Sequence, residues 1–286
     1  MMNLGELVRQ AREATGAAMS DCKRACEESG GDLKKAVAIL NAKGLAKAEK
    51  RMGRATAEGR VAFEISPDGR KAALVELQCE TDFVAKGDDF QGLLKEIGAL
   101  LMRLDPAKAA PAALPADLTK SKIGKLGENI TVPRCARWDA GGPGRIGGYL
   151  HANGKLAALV EDRGETDAVA AKPEAAELLR DLCLQVAGMN PRYLSSADFP
   201  KEVVEAEKAK HAEDAKGKPP QIAEKILAGK LDKNLFSVVG GALLSQPFLN
   251  EAKFKGGVGQ LVEAAGKKAG LPIWVARFIR YEVGAE

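Results

Sequence analysis

One stretch of this chain occurs twice. Adding 85 to the residue number maps Gly69, Ala73, Leu74, Val75, Glu76, Glu80, Thr81, Asp82, Val84 and Ala85 onto Gly154, Ala158, Leu159, Val160, Glu161, Glu165, Thr166, Asp167, Val169 and Ala170, all identical, and Leu93-Leu94 onto Leu178-Leu179. Each copy runs from a strand-like apolar segment, through an acidic polar turn, into a run at helical spacing. Two related strand–turn–helix units are therefore expected, and a duplicated α/β core with them. Phe83 maps onto Ala168. A ring required by the shared scaffold is expected in both copies, so Phe83 is read as specialised. It is either packed in its own core or exposed for a partner. Strand-to-helix connections lie at the surface and often carry function, and Thr81 or Asp82 can cap the helix that follows.

The rest of the chain falls around this core. Leu4, Leu7, Val8 and Ala11 form an apolar stripe at helical spacing, broken at Thr15-Gly16. Ser20 or Asp21 can open a second helix, and Asp32 can cap a third through Leu33, Ala36, Val37 and Leu40, ending at Gly44. These three helices read as a unit of the ubiquitin-associated type. A basic connecting helix is expected over 45–59. Ser66-Pro67-Asp68-Gly69 is a hairpin turn between strands 61–65 and 71–77. A helix over 88–103, a loop over 105–117, a short helix over 119–127 and a strand from Ile130 to Trp138 follow. The second copy supplies strands 145–151 and 155–161 and a helix over 173–188. Lys201–Ala215 and Ile222–Leu231, around Gly217-Lys218-Pro219-Pro220, read as an inserted helical hairpin, and Ile273–Val283 as a closing strand. The expected class is α+β. The expected domains are a three-helix domain with its connecting helix over 1–55, the first core repeat over 56–142 and the second over 143–286, with the hairpin insertion at about 200–232.

Chemistry is harder to find. Gly142-Pro143-Gly144-Arg145-Ile146-Gly147 fits G-x-G-x-x-G, but a strand follows where a dinucleotide site needs a helix. No P-loop pattern is present. Cys22 and Cys26 lie one turn apart without a second ligand pair nearby, and the chain has two histidines, so packing is favoured over metal. Cys79 follows a strand and precedes Glu80, whose charge disfavours a thiolate. His151, in the second hairpin turn, and His211 have no nucleophile beside them in sequence. Five cysteines form no disulfide-like pattern and fit a reducing cytosol. No apolar run approaches a bilayer's thickness, and the first residues do not read as a secretory leader. Residues 1–60 hold 12 Lys/Arg against 8 Asp/Glu, an excess centred on Lys43, Lys47, Lys50, Arg51 and Arg54. It lacks the density and interleaved aromatics of a nucleic-acid arm. A protein-binding role without covalent catalysis, metal or cofactor is what remains.

Longer motifs make that reading specific. Thr15-Gly16-Ala17-Ala18-Met19-Ser20-Asp21-Cys22-Lys23 resembles the N-terminal signature of the elongation factor Ts family, and Cys79-Glu80-Thr81-Asp82-Phe83-Val84-Ala85 resembles its second. Gln246-Pro247-Phe248 and Arg280-Tyr281-Glu282-Val283-Gly284 are similar to its late segments, so the resemblance spans nearly the whole chain. It implies a cytoplasmic guanine-nucleotide exchange factor that binds the GDP form of the GTPase elongation factor Tu and promotes GDP release so that GTP can rebind. The implied complex is one-to-one or a dimer of such pairs. By the same resemblance Thr81, Asp82, Phe83 and Val84 act near the magnesium site of the GTPase domain, Asp82 and Phe83 entering it. Arg12, Met19 and Lys23 dock on that domain, and His151 touches another. The alternative is a scaffold that grips protein partners through its three-helix unit.

Overall fold

The computed structural model describes residues 3–285; the side chains of residues 45, 47 and 116 lie outside that description, Lys47 of the basic run among them. The protein is α+β and divides into two compact units. The first holds residues 1–64, 73–137 and 282–286, and the second residues 65–72 and 138–281. Among the described residues no helix is long and apolar enough to cross a membrane.

The first unit opens with α1 (Leu4–Thr15), α2 (Met19–Glu28) and α3 (Leu33–Glu49). Asn3 caps α1 by accepting from the Gly5 amide at 3.1 Å, and Asp32 caps α3 by accepting from the Lys35 amide at 3.1 Å. The N-cap of α2 is Ala18, without a side-chain bond, and not Ser20 or Asp21. Asp21 sits in the first turn instead, where it favours the helix dipole. Leu7, Val8, Ala11, Cys22, Ala25, Cys26, Ala36 and Leu40 pack into one buried cluster, so both cysteines serve packing. The expected stop at Gly44 and the helix over 45–59 are not found. Helix α3 runs on to Glu49, and β1 (Glu58–Ile65) has already begun at Glu58. A Cβ on Gly124, in α6 (Ala116–Leu126), would lie 3.1–3.2 Å from the Gly44 backbone. Gly124 thus lets α6 approach the α3 backbone, while a Cβ on Gly44 itself would meet nothing within 4 Å.

Strand β1 continues into β2 (Lys71–Cys79), then α4 (Asp82–Lys86), α5 (Asp88–Leu101), α6 and β3 (Thr131–Asp139), in the sheet order β1–β2–β3. Phe90, Leu93, Leu94, Ile97 and Leu101 of α5 share a core with Val75, Leu77 and Cys79 of β2 and with Ile123 of α6. The expected loop 105–117 carries two short 3-10 turns, at Pro106–Lys108 and Pro111–Ala113.

The second unit repeats this plan. Strands β4 (Gly144–Leu150) and β5 (Leu156–Gly164) pair antiparallel, with Gly147 opposite Val160, and β6 (Ile273–Glu282) completes the order β4–β5–β6. Helices α7 (Pro173–Met189) and α11 (Val258–Ala269) supply Leu178, Leu179, Leu182, Val186, Leu261 and Val262 to a core that includes Val160 and Val275. The inserted hairpin is α8 (Lys201–Lys210), α9 (Ala212–Ala215) and α10 (Pro220–Leu231), with no buried residue in α8 or α9 and one, Leu231, in α10.

Each sheet buries a carboxylate at the same repeat position. Glu76 in β2, 1% exposed, accepts from Arg134 Nε of β3 at 2.6 Å, Gln78 Nε2 at 2.7 Å and the Gly284 amide at 3.0 Å. Glu161 in β5, fully buried, accepts from Arg277 Nε of β6 at 2.6 Å, Arg163 Nε at 2.8 Å and the Gly141 amide at 2.8 Å. Burial pushes the Glu161 carboxyl up, but the Gly141 amide and the two guanidiniums outweigh it and hold the group below its usual range.

Its neighbour Asp162 behaves oppositely. It is 1% exposed, its Oδ1 accepts from the Arg145 amide at 2.7 Å, and its Oδ2 has no partner. Burial pushes its carboxyl up to about 6. A pKa raised on folding favours the folded state fully below the unfolded value of about 4 and penalises it as pH rises through about 6. Asp162→Asn, which keeps an acceptor for Arg145, is therefore expected to stabilise the protein by about 2–3 kcal/mol at pH 7 and by little at pH 4. Denaturant unfolding at the two pH values measures the difference.

Candidate functional site

Strand β2 ends at Cys79, and the chain turns sharply into α4. Thr81 is the N-cap of α4, its Oγ1 accepting from the Val84 amide at 3.4 Å. Asp82 stands in the first turn, where it favours the helix dipole, and takes Lys86 Nζ at 2.6 Å one turn on. Ala85 is fully buried and Val84 half-buried against the core of the first unit. Residues two apart on a helix point to nearly opposite sides. With Ala85 inward, Phe83 faces outward, and it is 82% exposed. It is the most exposed large apolar side chain among the described residues.

The turn that carries it is held by a segment far away in sequence. Glu128, after the C-cap Gly127 of α6, accepts from the Glu80 amide at 3.0 Å and the Thr81 amide at 2.9 Å through one oxygen. The other accepts from Thr81 Oγ1 at 2.6 Å. Glu80 in return accepts from the Asn129 amide at 2.8 Å, and Asn129 Nδ2 donates to the Arg54 carbonyl at 2.7 Å. No local pattern pointed to Glu128 or Asn129, because their partners lie between 47 and 75 positions back in the chain.

Cys79 is buried and its Sγ lies 3.1 Å from the Thr81 carbonyl. Burial, with the Glu128 carboxylate second, pushes its thiol up to about 12. The acid that matters is thus Glu128 and not Glu80, which is turned toward Asn129. Such a thiol is not a nucleophile at neutral pH.

The second copy of the turn has relaxed. Asp167–Ala171 forms a 3-10 turn, and its N-cap Thr166 makes no side-chain bond. Gly164 stands where the first copy has Cys79, and a Cβ there would lie 2.8 Å from Val169 Cβ. Val169 has moved into that space and is buried, while Ala168 is exposed.

The remaining predicted residues are all on the surface. Met19 is 52% exposed on α2, Lys23 is exposed one turn further, and Arg12 is exposed in the last turn of α1. His151 is exposed in the β4–β5 turn, its Nδ1 2.9 Å from the Tyr149 hydroxyl. Among the described residues no group of three or more His, Cys, Asp or Glu is placed to hold a metal ion.

Residues 80–285 match the family model for elongation factor Ts. The chain is 41% identical to elongation factor Ts of Symbiobacterium thermophilum over 283 residues, covering 98% of this chain and 91% of that relative. It is 38% identical to that of Aquifex aeolicus over 296 residues, covering 98% and 97%, and 37% identical to that of Clostridioides difficile over 289 residues, covering 98% and 92%. The chain belongs to the elongation factor Ts family. It is a translation elongation factor of protein biosynthesis. The elongation factor Ts model spans Thr81–Val84, Glu128 and His151, while Arg12, Met19 and Lys23 precede it in the part matched by the full-length relatives.

With its ring in solvent, Phe83 adds little to folding. Phe83→Ala is expected to change stability by less than about 0.5 kcal/mol, against about 3–5 kcal/mol for a core Phe. Thermal unfolding distinguishes the two. In the same protein Cys79 is expected to resist iodoacetamide at pH 8 until the chain is unfolded, which mass spectrometry of the labelled peptides reads directly.

Proposed function

We propose that this chain is a guanine-nucleotide exchange factor for elongation factor Tu, binding its GDP form and promoting GDP release so that GTP can rebind. The observation that carries this is Phe83, an aromatic ring held in solvent on a capped turn, in the one repeat that has it. Thr81 caps the turn, Val84 and Ala85 root it in the core, and Asp82 and Phe83 enter the GTPase domain and disturb its magnesium site. Arg12, Met19 and Lys23 dock on the same domain through the three-helix region, residues 1–55, and His151 contacts a second domain. Exchange needs no covalent step, metal or cofactor of this chain's own. The complex forms in the cytoplasm, as a single pair or a dimer of pairs, without nucleic acid or membrane.

The energetics follow from linkage. A factor that weakens nucleotide by some ratio is itself weakened by nucleotide in the same ratio. Phe83 achieves this by filling a pocket that is closed while nucleotide and magnesium are bound. Burying one Phe contributes about 1.5–3 kcal/mol, and about 1.4 kcal/mol is tenfold. The ring alone thus accounts for a tenfold to hundredfold weakening, and larger effects draw on the docking residues.

The test is release of labelled GDP from purified elongation factor Tu. Phe83→Ala is expected to lower stimulated release by about tenfold or more while the protein stays folded. Normal release by the folded variant would refute the wedge. His151→Ala is expected to raise the concentration needed for half-maximal stimulation and to leave the pH profile unchanged, since a contact residue passes no proton.

A further inference from the structure

The two copies of the turn differ in more than Phe83. The copy with the ring has its backbone gripped by Glu128; the copy with Ala168 has an N-cap threonine without a side-chain bond. The cap within the first copy is long, at 3.4 Å from Val84 N to Thr81 Oγ1. The shorter bonds are those from Glu80 N, Thr81 N and Thr81 Oγ1 to the Glu128 carboxylate, at 3.0, 2.9 and 2.6 Å. An ionised acceptor makes each of them stronger than a neutral pair would be. The return bond from Asn129 N to Glu80 Oε1 closes the grip from both sides. Both oxygens of Glu128 are engaged by the Glu80 and Thr81 amides and the Thr81 hydroxyl, so these bonds act on the ring through the turn.

We propose that Glu128 is the positioning residue of the exchange site, fixing the Glu80–Thr81 backbone so that α4 presents Phe83 in the orientation its partner's pocket requires. Holding a group in its bound geometry removes an ordering cost at the moment of binding. This rests on the exchange reading above. Sequence alone did not point to Glu128, and no contact with the GTPase is needed for its effect.

The experiment compares the full chain with Glu128→Gln, Phe83→Ala and the double variant. Glu128→Gln keeps shape and volume and can still turn its oxygen to the two amides, but it loses the charge that strengthens those bonds and sets an NH2 where the Thr81 hydroxyl donated to the carboxylate. Hydrogen exchange at the Glu80 and Thr81 amides and stimulated GDP release are both measured, with a thermal melt to show that each variant is folded. Glu128→Gln is expected to deprotect those two amides while residues 72–77 of β2 stay protected. It is also expected to slow release about tenfold, the worth of roughly one charge-assisted hydrogen bond. The double variant is expected to be no slower than Phe83→Ala alone, because Glu128 works through the ring. Retained amide protection, normal release by Glu128→Gln, or losses that multiply in the double variant would each overturn the assignment. Normal release by Phe83→Ala would sink the exchange reading instead, and the amide protection would still report whether Glu128 holds the turn.

Discussion

A buried carboxylate on the middle strand ties each sheet together. Glu76 and Glu161 occupy the same repeat position, and each receives a guanidinium from the third strand and a backbone amide from a distant segment. The bonds span 58 positions from Arg134 to Glu76, 208 from Gly284 to Glu76 and 116 from Arg277 to Glu161. Removing the only counter-charge of a buried carboxylate costs about 3–5 kcal/mol; Glu161 has a second guanidinium, Arg163, which lessens the loss there. Third strands that arrive late in the chain are thereby locked to a sheet begun much earlier. Asp162 shows what the carboxylate costs without that support: one oxygen has no partner, and its proton is held up to about 6.

The sheets in turn aim the turns that follow them. Cys79 and Leu77 are buried where β2 ends, burial of Ala85 fixes the rotation of α4, and helix geometry then directs Phe83 outward from the turn that Glu128 holds. A ring at 82% exposure gains almost nothing from burial within its own chain. In the exchange function proposed above, a partner surface would take up that ring.

Much of this was legible in the residues. The 85-residue offset disclosed the duplication, the hairpin turns and the long helices lay where periodicity put them, and the asymmetry of Phe83 and Ala168 picked out the ring that stands in solvent. What failed did so where a tertiary contact overruled a local signal. Gly44 looks like a helix stop, but α3 runs through it to Glu49, and the backbone of α6 crosses there at Gly124, whose missing Cβ allows the approach. Ser20 and Asp21 look like caps, but the helix has already begun at Met19. Glu128 carries no local signature, because its meaning lies in two amides 47 and 48 positions away.

The divergence of the two turns also has a physical order. In the first turn Cys79 is buried with its Sγ 3.1 Å from the Thr81 carbonyl, Val84 is half-buried and α4 is helical. Gly164 leaves that space open in the second copy, Val169 drops into it, and the segment tightens to a 3-10 turn. A ring at Ala168 would therefore start from a lower, differently turned platform, without a carboxylate gripping its backbone. The scaffold that presents an aromatic thus consists of three things together: a side chain under the turn, a clamp on its amides, and the ring itself. Only the first repeat has all three, so the duplicated fold presents one such ring, and the exchange site proposed above is expected once.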